Sequence, residues 1–518
     1  MKENLRNNLL NPTTLFGLIL LIGSMYVTDQ PYLIMLTAAQ IIFIPLLLRL
    51  IIGMNRFTIM ITWLSMLSVF LLQVGFTSGL EMYLALIYVF FTFFVALNGL
   101  KRFVKRGFTN WAEISIDVGM MYLFIGGLWF FAYVTGIDTG FGTLITWLTA
   151  IHFHYSAFLL PVSLGFFGRL HRSTLYQRVV PILLAGPMLV AIGITFWPLL
   201  EVLFVLFYIV AIYTLIILAF RTRFATRLQA RLIRVSYGSL GVTILFSMMY
   251  ALGRGFGNWS VSIDFMLMFH GLINCVFFGM MGVIGWVASP PASKGDTWTF
   301  PVSNIRGRFN DFGESHPGLV DNLNDFVETE SLPDTIVHFY KHTEEYKLRA
   351  SVKWANWFKP LAWCYKLISE RMQQLNLPLS SKMVDMTGQI LTVDPSLDGR
   401  HRPRAWVRRV KNSTVFVAIY SQHESNGRTY MNIALPLPFS SMIGILQLCE
   451  RNNSLILTSE GQGDAGIYLA VGKNRMKLPL SEHFLIQEKN EGSLTALHKM
   501  KISGVHFLKI DYWIERKR

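Results

Sequence analysis

The strongest constraint on this chain is where its positive charges fall. In the first 290 residues about ten apolar stretches follow one another, and Lys and Arg occupy almost only alternate gaps between them. The stretches run approximately over 13–27, 32–53, 57–74, 79–100, 113–135, 141–167, 178–196, 199–220, 236–253 and 262–288. A helix needs roughly 20 mostly apolar residues to cross about 30 Å of hydrocarbon. The first stretch and the seventh to ninth are short or closely abutted, so length alone supports eight to ten spans. The charges favour ten. Lys2 and Arg6 precede the first span, while Arg49, Arg56, Lys101, Arg102, Lys105, Arg106, Arg169, Arg172, Arg178, Arg221, Arg223, Arg227, Arg231 and Arg234 lie in even-numbered loops. Arg254 alone stands in an odd-numbered loop. Positive residues are retained on the cytoplasmic side, so the pattern predicts a multi-pass cell-membrane protein with both termini cytoplasmic.

Composition agrees, with 53% hydrophobic and only 15% charged residues, where a soluble chain has about a quarter charged. The net charge of +15 divides between the two halves. Topology explains the excess in the spanning half, and the remainder suits a domain beneath anionic lipid rather than one that binds nucleic acid. Cys275, Cys364 and Cys449 show no paired spacing, which predicts neither a disulfide nor a thiolate metal site. The first apolar run lacks a small-residue cleavage site, so it is expected to be retained as a span.

Beyond residue 290 the composition changes. Residues 1–289 are read as an all-α polytopic transmembrane bundle and 290–330 as a linker, marked by Pro290, Pro291, Ser293, Lys294, Gly295 and Asp296. Residues 331–518 are read as a cytoplasmic α+β domain with an antiparallel sheet or barrel. Ser331, Pro333 and Asp334 form a helix start before Ile336, Val337, Phe339 and Tyr340. From about 387 onward short β-rich runs with turn residues between them follow, including 404–410, 413–421, 429–435, 442–448, 454–459, 466–471, 482–488 and 493–514.

Asn426-Gly427 gives the sharpest local geometry. A two-residue turn there pairs Ser425 with Arg428, His423 with Tyr430, Ser421 with Asn432 and Ile419 with Ala434. Phe416, Ala418 and Tyr420 then share a core face with Met431, Ile433 and Leu435. On the other face Ser421, His423, Tyr430 and Asn432 either line a polar, ligand-binding cavity or lie in solvent. The segment 354–372 also has two readings. Trp354, Trp357, Phe358, Leu361, Tyr365, Ile368 and Met372 recur at helical spacing beside Lys353, Lys359, Lys366 and Arg371, with a start or kink at Pro360. Such a stripe either lies at anionic lipid headgroups or covers the sheet.

Chemistry within the spans is sought among polar residues, since burying them in hydrocarbon is costly. His152 and His154 lie in the sixth stretch and His270 in the tenth. Residues two apart on a helix point about 200° apart, so His152 and His154 cannot face one ion unless Pro161 distorts the turn below them. By i,i+4 spacing His152 shares a face with Ser156, and His270 shares one with Asn274. Three roles stand: hydrogen bonds that fix the bundle, a substrate or proton path through a group that titrates near neutrality, and metal or haem ligation. No H-E-x-x-H or C-x-x-C pattern supports the third, so no metal or cofactor is assigned. Glu113 and Asp117 are expected at a hydrated cytoplasmic mouth, Glu201 and Asp264 in solvent near outer ends, and Gln40, Gln73 and Asn98 as packing donors.

Several runs together suggest a family. His152-Phe153-His154-Tyr155, His270-Gly271 with Asn274, L-N-L-P-L over 375–379 and Y-M-N-I-A-L-P-L-P-F-S over 430–440 resemble the YndJ-like membrane proteins of Bacillus and its relatives. Gly466-Ile467-Tyr468-Leu469, Leu478-Pro479-Leu480 and 507–512 fit as well. The resemblance spans both halves and implies a polytopic membrane protein with a transporter label; it supplies no catalytic residues.

The absence of a phosphate-binding loop, a nucleophile elbow and an Asp-rich metal motif argues against an ATP-driven pump or an ordinary hydrolase. The leading expectation is a transporter or permease with a cytoplasmic regulatory or ligand-binding domain. An intramembrane histidine-dependent enzyme acting through metal, haem or lipid chemistry is the alternative, and a membrane-tethered sensor the third reading.

Overall fold

The computed structural model describes residues 9–28, 30–75, 79–257, 261–293, 298–411 and 413–517. Lys2, Arg6, Lys294, Gly295 and Asp296 lie outside them. The chain forms two compact units, the first helical and the second built on β-strands.

The helical unit contains α1 (Pro12–Val27), α2 (Leu33–Ile51), α3 (Arg56–Val74), α4 (Glu81–Arg106), α5 (Trp111–Thr135), α6 (Thr143–Leu170), α7 (Thr174–Phe196), α8 (Pro198–Arg221), α9 (Arg227–Phe256) and α10 (Ile263–Ala288). Among the described residues, α2 to α10 are nine helices long and apolar enough to cross a membrane. The first, with 16 residues, reaches only about 24 Å at 1.5 Å per residue. It nevertheless runs within the bundle, parallel to α3: Trp63 donates to Thr13 at 3.0 Å, and Gln73 to Thr28 at 2.8 Å. A Cβ at Gly17 would lie 2.5 Å from the carbonyl oxygen of Ile41, so only glycine allows α1 so close to α2. Helix α9 starts nine residues before its apolar stretch because Arg227, Arg231 and Arg234 extend it, capped by the Thr226 hydroxyl on the amide of Gln229 at 3.1 Å.

The second unit is a closed antiparallel barrel. Its strands are β1 (Tyr346–Trp354), β2 (Val384–Thr392), β3 (Arg404–Val410), β4 (Ser413–Ser425), β5 (Arg428–Leu437), β6 (Ser440–Arg451), β7 (Ser454–Thr458), β8 (Gly466–Val471), β9 (Asn474–Lys477), β10 (Leu480–Asn490), β11 (Ser493–Ile502) and β12 (Val505–Arg516). Pairing runs β5-β4-β3-β2-β1-β12-β11-β10-β7-β6, and β6 returns to β5, which closes ten strands into a ring. The strands β8 and β9 attach beside the first half of β6. The Asn426-Gly427 turn sets the predicted register, with Ser425 opposite Arg428 and Ile419 opposite Ala434. Both turn residues have positive φ, 51° and 71°, as the primed hairpin turn requires.

Side chains alternate across the wall with period two. Inward positions such as Trp406, Phe416, Met431, Leu446, Leu457 and Ile510 form one core. A short helix, α11 (Asp334–Lys341), brings Ile336, Phe339 and Tyr340 into that core. The outward side carries a second core, made by Val407, Val417, Ile419, Ala434, Ile443 and Tyr468 with Phe300 and Ile305. From Trp298 onward the chain therefore lies on the barrel wall rather than running free.

Candidate functional site

In α6 the α-helix ends at His154 and a π-turn occupies Tyr155–Leu159. Pro161 accounts for it: the ring cannot donate and crowds the carbonyl four residues back, and widening the turn relieves both problems. The same arrangement recurs in α2, where a π-turn over Ala39–Phe43 precedes Pro45. Helix α10 has two π segments, Met266–Gly271 and Asn274–Met280, that no proline explains. The π segments of α2 and α6 pack against that of α10. Gly279 makes this possible, since a Cβ there would come 2.9 Å from Phe43 and 3.2 Å from Tyr155. Tyr155 in turn donates to the carbonyl of Met35 at 2.7 Å.

The three histidines divide. His152 and His270 meet, with ring centroids 6.5 Å apart. His152 Nδ1 faces the carbonyl of Leu148 at 2.6 Å, and His270 Nδ1 that of Thr243 at 3.0 Å. A carbonyl only accepts, so each neutral ring carries its proton on Nδ1 and leaves the Nε2 lone pair for something else. Among the described residues nothing bonds to either Nε2. His154 instead points into the bundle, wholly buried. Its Nδ1 donates to Ala150 at 2.7 Å and its Nε2 accepts from the Tyr88 hydroxyl at 2.7 Å, which uses both ring nitrogens. Gly126 leaves room for that ring, for a Cβ would lie 3.0 Å from it.

Asn274 stays on the His270 side, where its Oδ1 accepts from the Thr243 hydroxyl at 3.0 Å. Thr243 of α9 thus holds both polar groups of α10, one through its backbone and one through its side chain. Ser156 makes no hydrogen bond to His152. Gln40, in the π-turn of α2, is buried with both amide atoms unbonded among the described residues.

Three of the four carboxylates correct the expectation of hydrated positions, while Asp264 is exposed as expected. Glu113 is buried and accepts from Arg169 at 2.8 Å and from Arg102 at 2.9 Å, while Asp117 accepts from Arg102 at 2.7 Å. Arg169 and Ser293 tie the chain after α10 to this cluster, Arg169 through the carbonyl of Pro291 at 3.0 Å and Ser293 through Glu113 at 3.0 Å. Glu201 is likewise buried and pairs with Arg254 at 3.0 Å. That pair accounts for the single exception to the charge pattern: Arg254 is matched by an acid on the neighbouring span. Gln73 bridges helices as expected, whereas Asn98 bonds only its own helix, at the carbonyl of Phe94.

In the β unit Ser421, His423, Tyr430 and Asn432 share one face of the β4–β5 hairpin as predicted, yet that face is neither solvated nor inside the barrel. It is covered by the chain from Trp298. Asn432 donates to the carbonyl of Pro301 at 2.8 Å, and Phe300 stacks on His423 at 5.5 Å. His423 Nε2 donates to Asp464 at 3.3 Å, Ser421 bonds the carbonyl of His401 at 2.7 Å, and Tyr430 that of Gln462 at 3.0 Å. Arg400, ion-paired to the equally buried Asp398 at 2.6 Å, donates to Asn432 Oδ1 at 2.8 Å. Burial holds the His423 pKa below its ordinary value despite the opposing Asp464 carboxylate.

The aromatic segment divides as well. Trp354 ends β1, and α12 (Lys359–Met372) begins with Pro360 in its first turn. Trp354 and Phe358 pack on the barrel core, and Ala362 and Ser369 face inward, while Trp357, Leu361, Trp363, Leu367 and Ile368 are exposed.

No solved structure matches the chain. The family model described as "YndJ-like protein" matches residues 34–278. The Bacillus subtilis (strain 168) protein described as "Uncharacterized membrane protein YndJ" is 39% identical over 456 residues, covering 83% of each chain. Identity of that extent, reaching well beyond the helical unit, establishes that the chain belongs to the YndJ-like family of membrane proteins.

Proposed function

We propose that the protein is a permease whose path passes His152 and His270, with the β unit as its cytoplasmic regulatory or ligand-binding part. The observation that carries this reading is the pair of open Nε2 lone pairs on facing spans, beside the π segments of α6 and α10. Wide turns of this kind are frequent at functional sites, and imidazole exchanges protons near neutral pH. Asn274 belongs to this site as the group that shares Thr243 with His270, and Ser156 as a hydroxyl one turn from His152. His154 supports the site from behind. The Lys and Arg pattern supports cytoplasmic termini, and the parallel course of α1 and α3 is what a tenth pass through α1 would require. The exposed face of α12, flanked by Lys353, Lys359, Lys366 and Arg371, suits a resting place on anionic headgroups for a domain tethered to the membrane.

The test uses the full-length protein in vesicles that enclose a pH-reporting dye. An imposed potential should move protons faster than in vesicles holding the His152→Ala, His270→Ala protein. Equal rates in both, matching empty vesicles, contradict the proton path.

A further inference from the structure

The barrel interior holds a partly open cavity of about 120 Å³. Its wall is apolar except for Tyr340 of α11 and, on the strands, Arg408, Tyr420, Glu482, His498 and Tyr512. All five stand at inward positions of their strands, which would otherwise carry leucine-like side chains, and unpaired charge in such a place is costly.

Arg408 is built into this wall with care for its orientation. Its guanidinium carbon lies 4.5 Å from the ring centre of Trp406 and 4.3 Å from that of Phe416. Trp406 has space because Gly388 faces it; a Cβ there would fall 2.5 Å from the indole nitrogen. Aromatic rings attract the cation without satisfying its N–H groups, which lie in the guanidinium plane. The Nε–H is buried and has no acceptor, the Tyr512 hydroxyl lies within hydrogen-bonding reach of the guanidinium, and among the described residues no carboxylate lies within ion-pair distance of Arg408. Glu482, the acid of the same cavity, is engaged by His498 at 3.2 Å. His498 is fixed in turn by stacking on Phe484 at 3.7 Å. Gly444 seats the Glu482 carboxylate, since a Cβ there would lie 2.8 Å from Oε1. Tyr420 and Tyr512 stand within the fields of both Arg408 and Glu482.

We infer that the barrel interior binds a small amphiphilic monocarboxylate, its carboxylate on the in-plane donors of Arg408 and its apolar body among Met431, Leu446, Leu457 and Ile510. A carboxylate matches the guanidinium fork in both charge and geometry. The volume limits the body to a short acyl chain or one ring, for apolar cavities of about 150 Å³ take up benzene-sized ligands. The inference rests on the reading of the β unit as the ligand-binding part and is independent of the histidine path.

Hexanoate, hexanol and hexylamine are the probes, titrated calorimetrically against the full chain in phosphatidylcholine nanodiscs with empty nanodiscs subtracted. Hexanoate should bind one saturable site, at least about tenfold more tightly than hexanol or hexylamine. Arg408→Gln should weaken hexanoate at least about tenfold and leave hexanol unchanged. Should that variant fail to fold, the comparison of hexanoate with hexanol on the unaltered chain decides. Equal binding of hexanol, tighter binding of hexylamine or full affinity in folded Arg408→Gln overturns the carboxylate while leaving a ligand-binding domain. Binding of none of the three overturns the site itself.

Discussion

A neutral imidazole offers one donor and one acceptor, and what remains of them after folding decides what it can still do. His154 has used both, on Ala150 and Tyr88. Replacing it with Ala strands a buried hydroxyl and opens a cavity, which should cost roughly 3 kcal/mol or more. Folded protein recovered from membranes is therefore expected to fall sharply for His154→Ala and to stay near normal for His152→Ala and His270→Ala. The opposite orientation of His152 and His154 was legible from the 200° between them. Tyr88 was not, because nothing local points to a residue two helices away. In the β unit His423 provides a pH signature. Its folded-state pKa is lowered, first by burial, so the unfolded chain binds the proton more readily. Its contribution is present above about pH 6.5 and lost as pH falls toward the folded value. The unfolding temperature of the β unit should drop between pH 7 and 5, less steeply in His423→Gln; identical slopes would remove His423 as a cause.

Whole elements were most legible where pattern and geometry coincide. The apolar stretches became α1 to α10 with ends moved by up to nine residues, and the Asn-Gly turn fixed the β4–β5 register. Strand β1 escaped because its outward positions hold Lys347, Arg349, Ser351 and Lys353, which mask the apolar alternation of Leu348, Ala350 and Val352. Strand β2 falls where β-rich sequence begins but received no bounds of its own because Gly388 interrupts it, a gap explained by Trp406 across the sheet. The π-turns in α2 and α6 follow from Pro45 and Pro161, while those in α10 had no sequence signal. Close packing between α5 and α6 depends on Gly165, where a Cβ would come 2.4 Å from the Ile116 side chain and 2.5 Å from the Ala112 carbonyl. Gly165→Ala should cost about 1–3 kcal/mol by overpacking, visible as a lower unfolding temperature in detergent. Glu113→Gln should cost more, about 3–5 kcal/mol, because it leaves Arg169 and Arg102 without their shared acid. An unchanged unfolding temperature would show the cluster to be dispensable.

Across the whole molecule, charge reports both topology and architecture, and these had to be separated. Arg102 and Arg169 count as topological charges in the sequence, yet each also anchors a buried carboxylate. Arg254 breaks the pattern until Glu201 is placed beside it. The candidate site was legible only in part: spacing supplied its residues, whereas the meeting of His152 and His270 depends on how α6 and α10 cross. The claim that these two rings border a watery path, with His154 behind it, is open to one direct measurement. Single cysteines at 152, 154 and 270, in a full-length protein whose Cys275, Cys364 and Cys449 are replaced by Ser, can be treated in membranes with a permanently charged thiol reagent. The account predicts reaction at 152 and 270 and protection at 154. Protection at 152 and 270, as for side chains that face lipid, would contradict it.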